Sequence, residues 1–220
     1  MRNLVILGTS LNSRLARFYF EKDTDYKVVG YALNKEYIKE KEYDNRPIVA
    51  IEEIEKIYPP DKYDAFVATG YNKMNHIRAK LYTEIKTKGY RLPNYISPRC
   101  SYLTEEPIGD NNLILEDNTI QPFVTIGSDN VFWSGNHIGH ESSIGNHNFI
   151  TSHVVISGSV KLGDYCFIGV NSTIRDAITI ANETLIAAGA IIMKDTIEKG
   201  VYLPARSTLF DKKSDEIQIS

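Results

Sequence analysis

The 220-residue chain contains only two cysteines, Cys100 and Cys166. Two thiols so far apart make neither a disulfide framework nor a zinc knuckle. A reducing, cytoplasmic setting is therefore expected. No apolar run is long enough to span a bilayer, so no membrane insertion is expected. Strong charge of either sign is also missing, since 25 Lys+Arg face 28 Asp+Glu for a net charge of -3. That excludes a strongly basic nucleic-acid binder. The residues before position 98 are net positive and those after it net negative, and a positive first half suits an anionic ligand and a solvated surface equally. A G-x-G-x-x-G dinucleotide loop is absent as well. The first turn, Gly8-Thr9-Ser10-Leu11-Asn12-Ser13, holds a single glycine, so NAD is not expected.

The second half carries a repeat. Every sixth residue from Ile108 to Ile192 is apolar, and only Phe132 and Leu162 depart from isoleucine. Glycine follows at Gly109, Gly127, Gly139, Gly145, Gly163 and Gly169. Four residues after each aliphatic the side chain is small, apolar or Asn, as at Val124, Ser142, Val160, Cys166, Asn112 and Asn136. A helix has 3.6 residues per turn and has no use for a period of six. Two-sheet β proteins signal turns at longer spacing. A triangular β-solenoid fits: three short strands per coil, one aliphatic per strand pointing inward, small residues at the corners. Residues 108–197 then make about five coils. Cys166 falls on an inward small position and is read as core.

The first half alternates strands and helices. Strands are expected over Leu4–Leu7, Tyr26–Leu33, Pro47–Val49, Tyr63–Thr69 and Arg91–Ile96. Helices are expected over Asn12–Glu21, Ile51–Tyr58 and Asn75–Lys86. This pattern implies a small parallel sheet of Rossmann-like type. The Gly8 turn, at a helix start, is placed to meet a substrate phosphate. The fold class is thus an α/β Rossmann-like lobe over residues 1–97 and an all-β prism with a C-terminal tail over 98–220.

The hexapeptide period resembles the left-handed parallel β-helix of the hexapeptide-repeat acyltransferases. A lobe of this size before the prism resembles the sugar O- and N-acyltransferases of the sialic-acid O-acetyltransferase and bacillosamine N-acetyltransferase type. The resemblance implies homotrimers with active sites between neighbouring prisms. It also implies acetyl-CoA as co-substrate and a nucleotide-linked amino sugar as acceptor, in surface-glycan synthesis. The sugar nucleotide would meet Gly8, Thr9, Ser10, Asn34, Lys35, Gly70, Tyr71 and Asn72. The family often has more glycine in the first turn and an acidic residue where Asn34 stands.

His140-Glu141 matches the family's catalytic His followed by an acidic residue. Acyl transfer from a thioester needs a base for the nucleophile's proton, and a neutral imidazole suits that role. His140 is the expected general base and Glu141 its orienting partner, although neighbours on a strand point to opposite faces. Trp133 and Phe149 replace the family's Asn and second His, which implies a drier acyl pocket, with Asn136 supplying the missing hydrogen bond. Gly158, Val170 and Ala188 match positions whose backbone holds the CoA arm. Leu203-Pro204-Ala205-Arg206 is the counterpart of the family's closing Gly-Asn-Pro-Ala-Lys, with Arg206 toward a CoA phosphate. His137, His140, His147 and His153 are not spaced by one coil, so no metal site is expected; His147 is read as a surface residue and His153 as an interface residue. The same residues would serve an O-acetyltransferase acting on a sugar hydroxyl. A non-catalytic trimeric scaffold or ligand sensor is the alternative of another class.

Overall fold

The computed structural model describes residues 2–217. The first part contains β1 (Arg2–Leu7), α1 (Leu11–Asp23), β2 (Tyr26–Leu33), β3 (Glu42–Tyr43), β4 (Arg46–Ala50), α2 (Ile54–Ile57), β5 (Tyr63–Val67) and α3 (His76–Thr87). The strand order is β3-β4-β2-β1-β5, parallel except for the β3–β4 edge pair. β1 is an interior strand, and its last four residues, Leu4 to Leu7, are apolar and buried because both faces are covered there. Leu4 and Ile6 pack with Ala16 and Phe20 of α1, whereas Val5 and Leu7 pack with Ile54 of α2 and Ile85 of α3. The neighbours β2 and β5 lie on opposite sides of β1, so a crevice opens beyond the carboxyl ends of these strands.

The expected strand Arg91–Ile96 does not belong to this sheet. Only Tyr95–Ile96 is extended as a strand, and it pairs with Leu113–Ile114 in the repeat region. Pro93 lacks the N–H that a ladder needs, and the chain crosses to the prism there.

The prism has three parallel faces. The first runs through Tyr95–Ile96, Leu113–Ile114, Val131–Phe132, Phe149–Ile150, Phe167–Ile168, Leu185–Ile186 and Val201–Tyr202. The second includes Thr119–Ile120, His137–Ile138, Val155–Ile156, Thr173–Ile174 and Ile191–Ile192. The third includes Thr125–Ile126, Ser143–Ile144, Lys161–Leu162 and Thr179–Ile180, with Ile108 bridged to Ile126. This arrangement fits a left-handed β-helix. The second face has six strands, so the stack is six coils tall rather than about five. The extra coil keeps the register through Ile96, Tyr102 and Ile108, but Tyr102 and the polar residues around it hide the period.

Each strand buries its second residue. From Ile114 to Ile192 the six-residue positions are at most 5% exposed. The third residue after each aliphatic takes a left-handed conformation at the corner, as at Glu141 (φ 57), His147 (φ 59), His153 (φ 58) and Ser159 (φ 57). The inward asparagines form ladders. Asn112, Asn130 and Asn148 each accept from the backbone N–H one coil on, at 2.7–2.9 Å, which satisfies corner groups that are buried from water.

The outward residues of the first face are apolar every eighteen positions: Leu113, Val131, Phe149, Phe167 and Leu185. The first three join Phe20, Phe66 and Tyr95 in one buried cluster, against which Phe167 packs. This face is where the first part docks on the prism. Among the described residues no helix is long and apolar enough to cross a membrane.

Candidate active site

His140 and Glu141 lie in the corner that follows His137–Ile138, not on a strand. The left-handed backbone at Glu141 defeats the alternation expected of strand neighbours. His140 Nδ1 lies 3.6 Å from Glu141 Oε2, and both side chains are well exposed, at 60% and 63%. The Glu141 carboxylate also accepts from Ser159 Oγ at 3.2 Å, one coil on. The His140 backbone N–H donates to Gln121 Oε1 at 2.8 Å, and its carbonyl accepts from Ser159 N–H at 2.7 Å. The corner is therefore fixed on both sides while the imidazole stays open to solvent. Gly158 lies against the ring: a Cβ there would come within 2.7 Å of His140 Cε1 and Nε2. An exposed imidazole beside a carboxylate is chemically able to take a proton from an incoming amine or hydroxyl.

The other residues expected around acyl-CoA do not gather at this corner. Val170 and Ala188 lie on the corner after the first face, with the second face between them and His140. Arg206 is exposed on the tail beyond the last strand, Val201–Tyr202. Asn136 is 1% exposed, and its amide is used inside the prism: Nδ2 donates to Trp133 O, and Oδ1 accepts from Val154 N–H at 2.8 Å. It is a buried ladder residue, out of reach of an acyl carbonyl at the surface. Phe149 and Trp133 do not make the acyl pocket drier either. Phe149 is buried on the first face against Tyr71, with centroids 5.0 Å apart, and Trp133 packs on the same cluster. Both side chains serve the docking of the lobe.

The crevice residues are partly as expected. Gly8 has φ +116 and a Cβ there would lie 2.8 Å from Ser13 Oγ, so the first turn requires glycine. Ser10 precedes α1, but its N–H donates to Ser13 Oγ at 3.2 Å and is not free for a phosphate. Ser13 Oγ in turn donates to Ala68 O at 3.1 Å. Thr9 and Gly70 flank this turn and are half-buried. The Glu52 carboxylate is held below the usual carboxylate range by its own backbone N–H and, less strongly, by the backbone N–H of Lys35, which donates to it at 3.1 Å. Tyr71 is half committed to the prism, since its ring also meets Phe167 at 4.8 Å. Asn72 is exposed.

Asn34 lines a cavity of about 380 Å³ with Tyr37, Lys73, His76 and Lys80. A second cavity of about 520 Å³ shares His76 and Lys80 and reaches Tyr165 of the prism. Lys73, His76 and Lys80 were missed from the sequence. The signal was their spacing at the start of α3, directly after Gly70-Tyr71-Asn72.

A buried polar seam was missed too. Arg78 and Asp129 are both fully buried, with Nε 3.2 Å from Oδ2. Arg78 Nη2 also donates to the carbonyls of Asp129 and Asn148 at 3.0 and 3.1 Å. His147 is not a surface residue: its Nδ1 lies 2.8 Å from Asp129 Oδ2 and its side chain is 13% exposed. Tyr165 stacks between His147 and His76, at 4.9 and 4.4 Å. Cys166 is core as expected, and burial pushes its thiol up to about 12, far from a thiolate at neutral pH.

No protein-family model matches the chain. No curated protein matches it either. Solved structures do. The acetyltransferase domain of PglB from Neisseria gonorrhoeae aligns with 93% of this chain and 100% of its own, at 17% identity and a TM-score of 0.81. PerB from Caulobacter crescentus, solved with CoA and GDP-perosamine, aligns over 91% and 93%, at 19% identity and a TM-score of 0.80. The PglB domain solved with acetyl coenzyme A aligns over 93% and 99%, at 18% identity and a TM-score of 0.80. Lobe and prism together, this chain has the fold of these acetyltransferase structures.

Proposed function

We propose that the chain is an acetyl-CoA-dependent acyltransferase that acetylates the amine of a nucleotide-linked amino sugar for surface-glycan synthesis. The observation that carries this reading is the exposed His140 imidazole, set over Gly158 with Glu141 at 3.6 Å. His140 is the general base and Glu141 orients or steadies the imidazolium that forms. Backbone N–H groups near the thioester oxygen would hold the developing oxyanion. The whole-chain likeness to PerB, solved with CoA and GDP-perosamine, supports both the donor and the kind of acceptor.

Residues 1–97 are the Rossmann-like lobe that takes the sugar nucleotide, at the crevice of Gly8, Thr9, Ser10, Asn34, Lys35 and Gly70–Asn72. Residues 98–220 are the left-handed β-helix that performs transfer. The crevice and the His140 corner lie on different sides of the prism, and Val170 and Ala188 lie on a third edge. A homotrimer brings such edges together between prisms. The outward apolar side chains Val155, Ile191 and Val201, exposed at 39%, 67% and 63%, support such contacts. Two free cysteines, one of them buried, suit a cytoplasmic setting.

The test is thiol release from acetyl-CoA with a panel of UDP-, dTDP- and GDP-linked amino sugars. Turnover on one of them, lost in His140→Ala, is expected. Absence of turnover on every amine, with acetyl-CoA still bound, would overturn N-acylation and direct the search to sugar hydroxyls.

A further inference from the structure

The crevice is bordered by a strained turn. Lys73, Met74 and Asn75 have φ values of 51, 48 and 65, three consecutive residues in the left-handed region. L residues enter that region singly, because Cβ crowds the backbone, so a run of three has to be held from outside. The holding group is Asn75. It is 0% exposed, and its N–H closes the turn on Tyr71 O at 3.2 Å. Its Nδ2 leaves the lobe entirely and donates to the Cys166 carbonyl of the prism at 3.1 Å. Its Oδ1 accepts from Arg78 Nη1 at 3.3 Å, and Arg78 is itself fixed on Asp129 and two prism carbonyls.

The turn carries Lys73, which lines the 380 Å³ cavity with Asn34, Tyr37 and the carboxylates Glu36 and Glu84. Tyr71 and Asn72 lead into it, and His76 and Lys80 follow it on α3. Within the lobe the segment has the turn's own bond to Tyr71 and the Asn75–Arg78 contact; the remaining buried side-chain bonds of Asn75 and Arg78 run to Cys166, Asp129 and Asn148, all in the prism.

We propose that Asn75 is a positioning residue for the acceptor: it ties the turn bearing Lys73 to the prism and so sets the cation's place in the crevice. The inference rests on the reading that this crevice holds the nucleotide sugar. Binding of an anionic diphosphate then depends on a contact between lobe and prism that touches neither substrate. The donor site at the His140 corner does not share this contact.

Asn75→Gly separates the roles, because glycine tolerates the left-handed backbone while both amide bonds disappear. The expected result is an acceptor KM raised about tenfold with the KM for acetyl-CoA close to wild type, beside a modest fall in melting temperature from the lost buried amide bonds. Amide exchange over residues 71–75 should rise while the prism stays protected. UDP and GDP binding by calorimetry gives a readout without turnover, and the nucleotide that wild type binds should bind the variant more weakly. A variant with wild-type acceptor KM and nucleotide binding would overturn this proposal alone. A general fall in melting temperature, with both KM values rising, would overturn it in favour of plain structural support. Wild-type protein that binds neither nucleotide would overturn the crevice reading and this proposal together.

Discussion

Gly158 lies directly against the His140 ring, with room for hydrogen and none for a methyl group: an added Cβ would stand 2.7 Å from both Cε1 and Nε2. The atom that must yield is the end of an exposed side chain, so the fold tolerates the change and the position of the imidazole does not. Gly158→Ala is expected to leave the melting temperature nearly unchanged and to lower kcat by roughly a hundredfold, the scale of an ångström-sized misplacement. Steady-state kinetics beside a thermal melt checks both halves. A variant with full activity would remove the ring's position from the mechanism.

Glu141 is close enough to steady a protonated His140 but is exposed, so its share should be small. Glu141→Gln keeps the size and the contact with Ser159. It is expected to lower kcat by about tenfold, well short of the 10²–10⁴ that a general base supplies. A loss equal to that of His140→Ala, measured at saturating acetyl-CoA, would show that imidazole and carboxylate act as one unit and that the small share assigned to Glu141 is wrong.

Arg78 and Asp129 form a fully buried ion pair across the seam. Arg78→Met strands the carboxylate, with only the His147 and Asn111 contacts left to it. The expected loss is about 3–5 kcal/mol in denaturant unfolding. The double variant Arg78→Met, Asp129→Leu removes both charges and should recover much of it. Equal losses in single and double variants would show that the pair's hydrogen bonds to backbone carbonyls matter more than its charge.

Two tyrosine–carboxylate bonds tie helices to the prism. Tyr19 of α1 donates to Glu116 Oε2 at 2.8 Å, and Tyr82 of α3 donates to Asp110. Burial opposes the charge at both carboxylates, but hydrogen bonds outweigh it. At Asp110 these come from Lys86, Tyr82 and Ser128, and at Glu116 from its own N–H, Tyr19 and Ser134. Both groups therefore titrate lower in the folded protein than in the unfolded chain. Their stabilisation is complete above the ordinary carboxylate range and is lost as the pH falls through the lowered folded values. Melting temperature should drop in acid below about pH 4, and Tyr19→Phe, Tyr82→Phe should flatten that drop. An unchanged slope in the double variant would assign acid sensitivity elsewhere.

The sequence by itself determined the prism. One residue in six points inward, so the requirement of burial is written at a fixed interval, and the apolar residues from Ile108 to Ile192 state it without a break. Most of the helix and strand order in the first part was legible for the same reason, as local periodicity, but not the edge strand Glu42–Tyr43 or the crossing of Arg91–Ile96 to the prism. His140-Glu141 was legible as a pair of residue types. Tertiary structure decided how these pieces meet. A left-handed corner, not a strand, brings Glu141 to His140. Asn136 looks available in sequence, but its amide is buried, with Oδ1 bonded to the next coil and Nδ2 to Trp133 O of its own. Phe149 and Trp133 look like pocket walls until the docked lobe covers them. Arg78, Asp129 and Asn75 carry no local signal at all, because their partners are far along the chain and become neighbours only when lobe and prism close on each other. Burial then makes those contacts obligatory, since a charge or amide left there without a partner has no water to turn to.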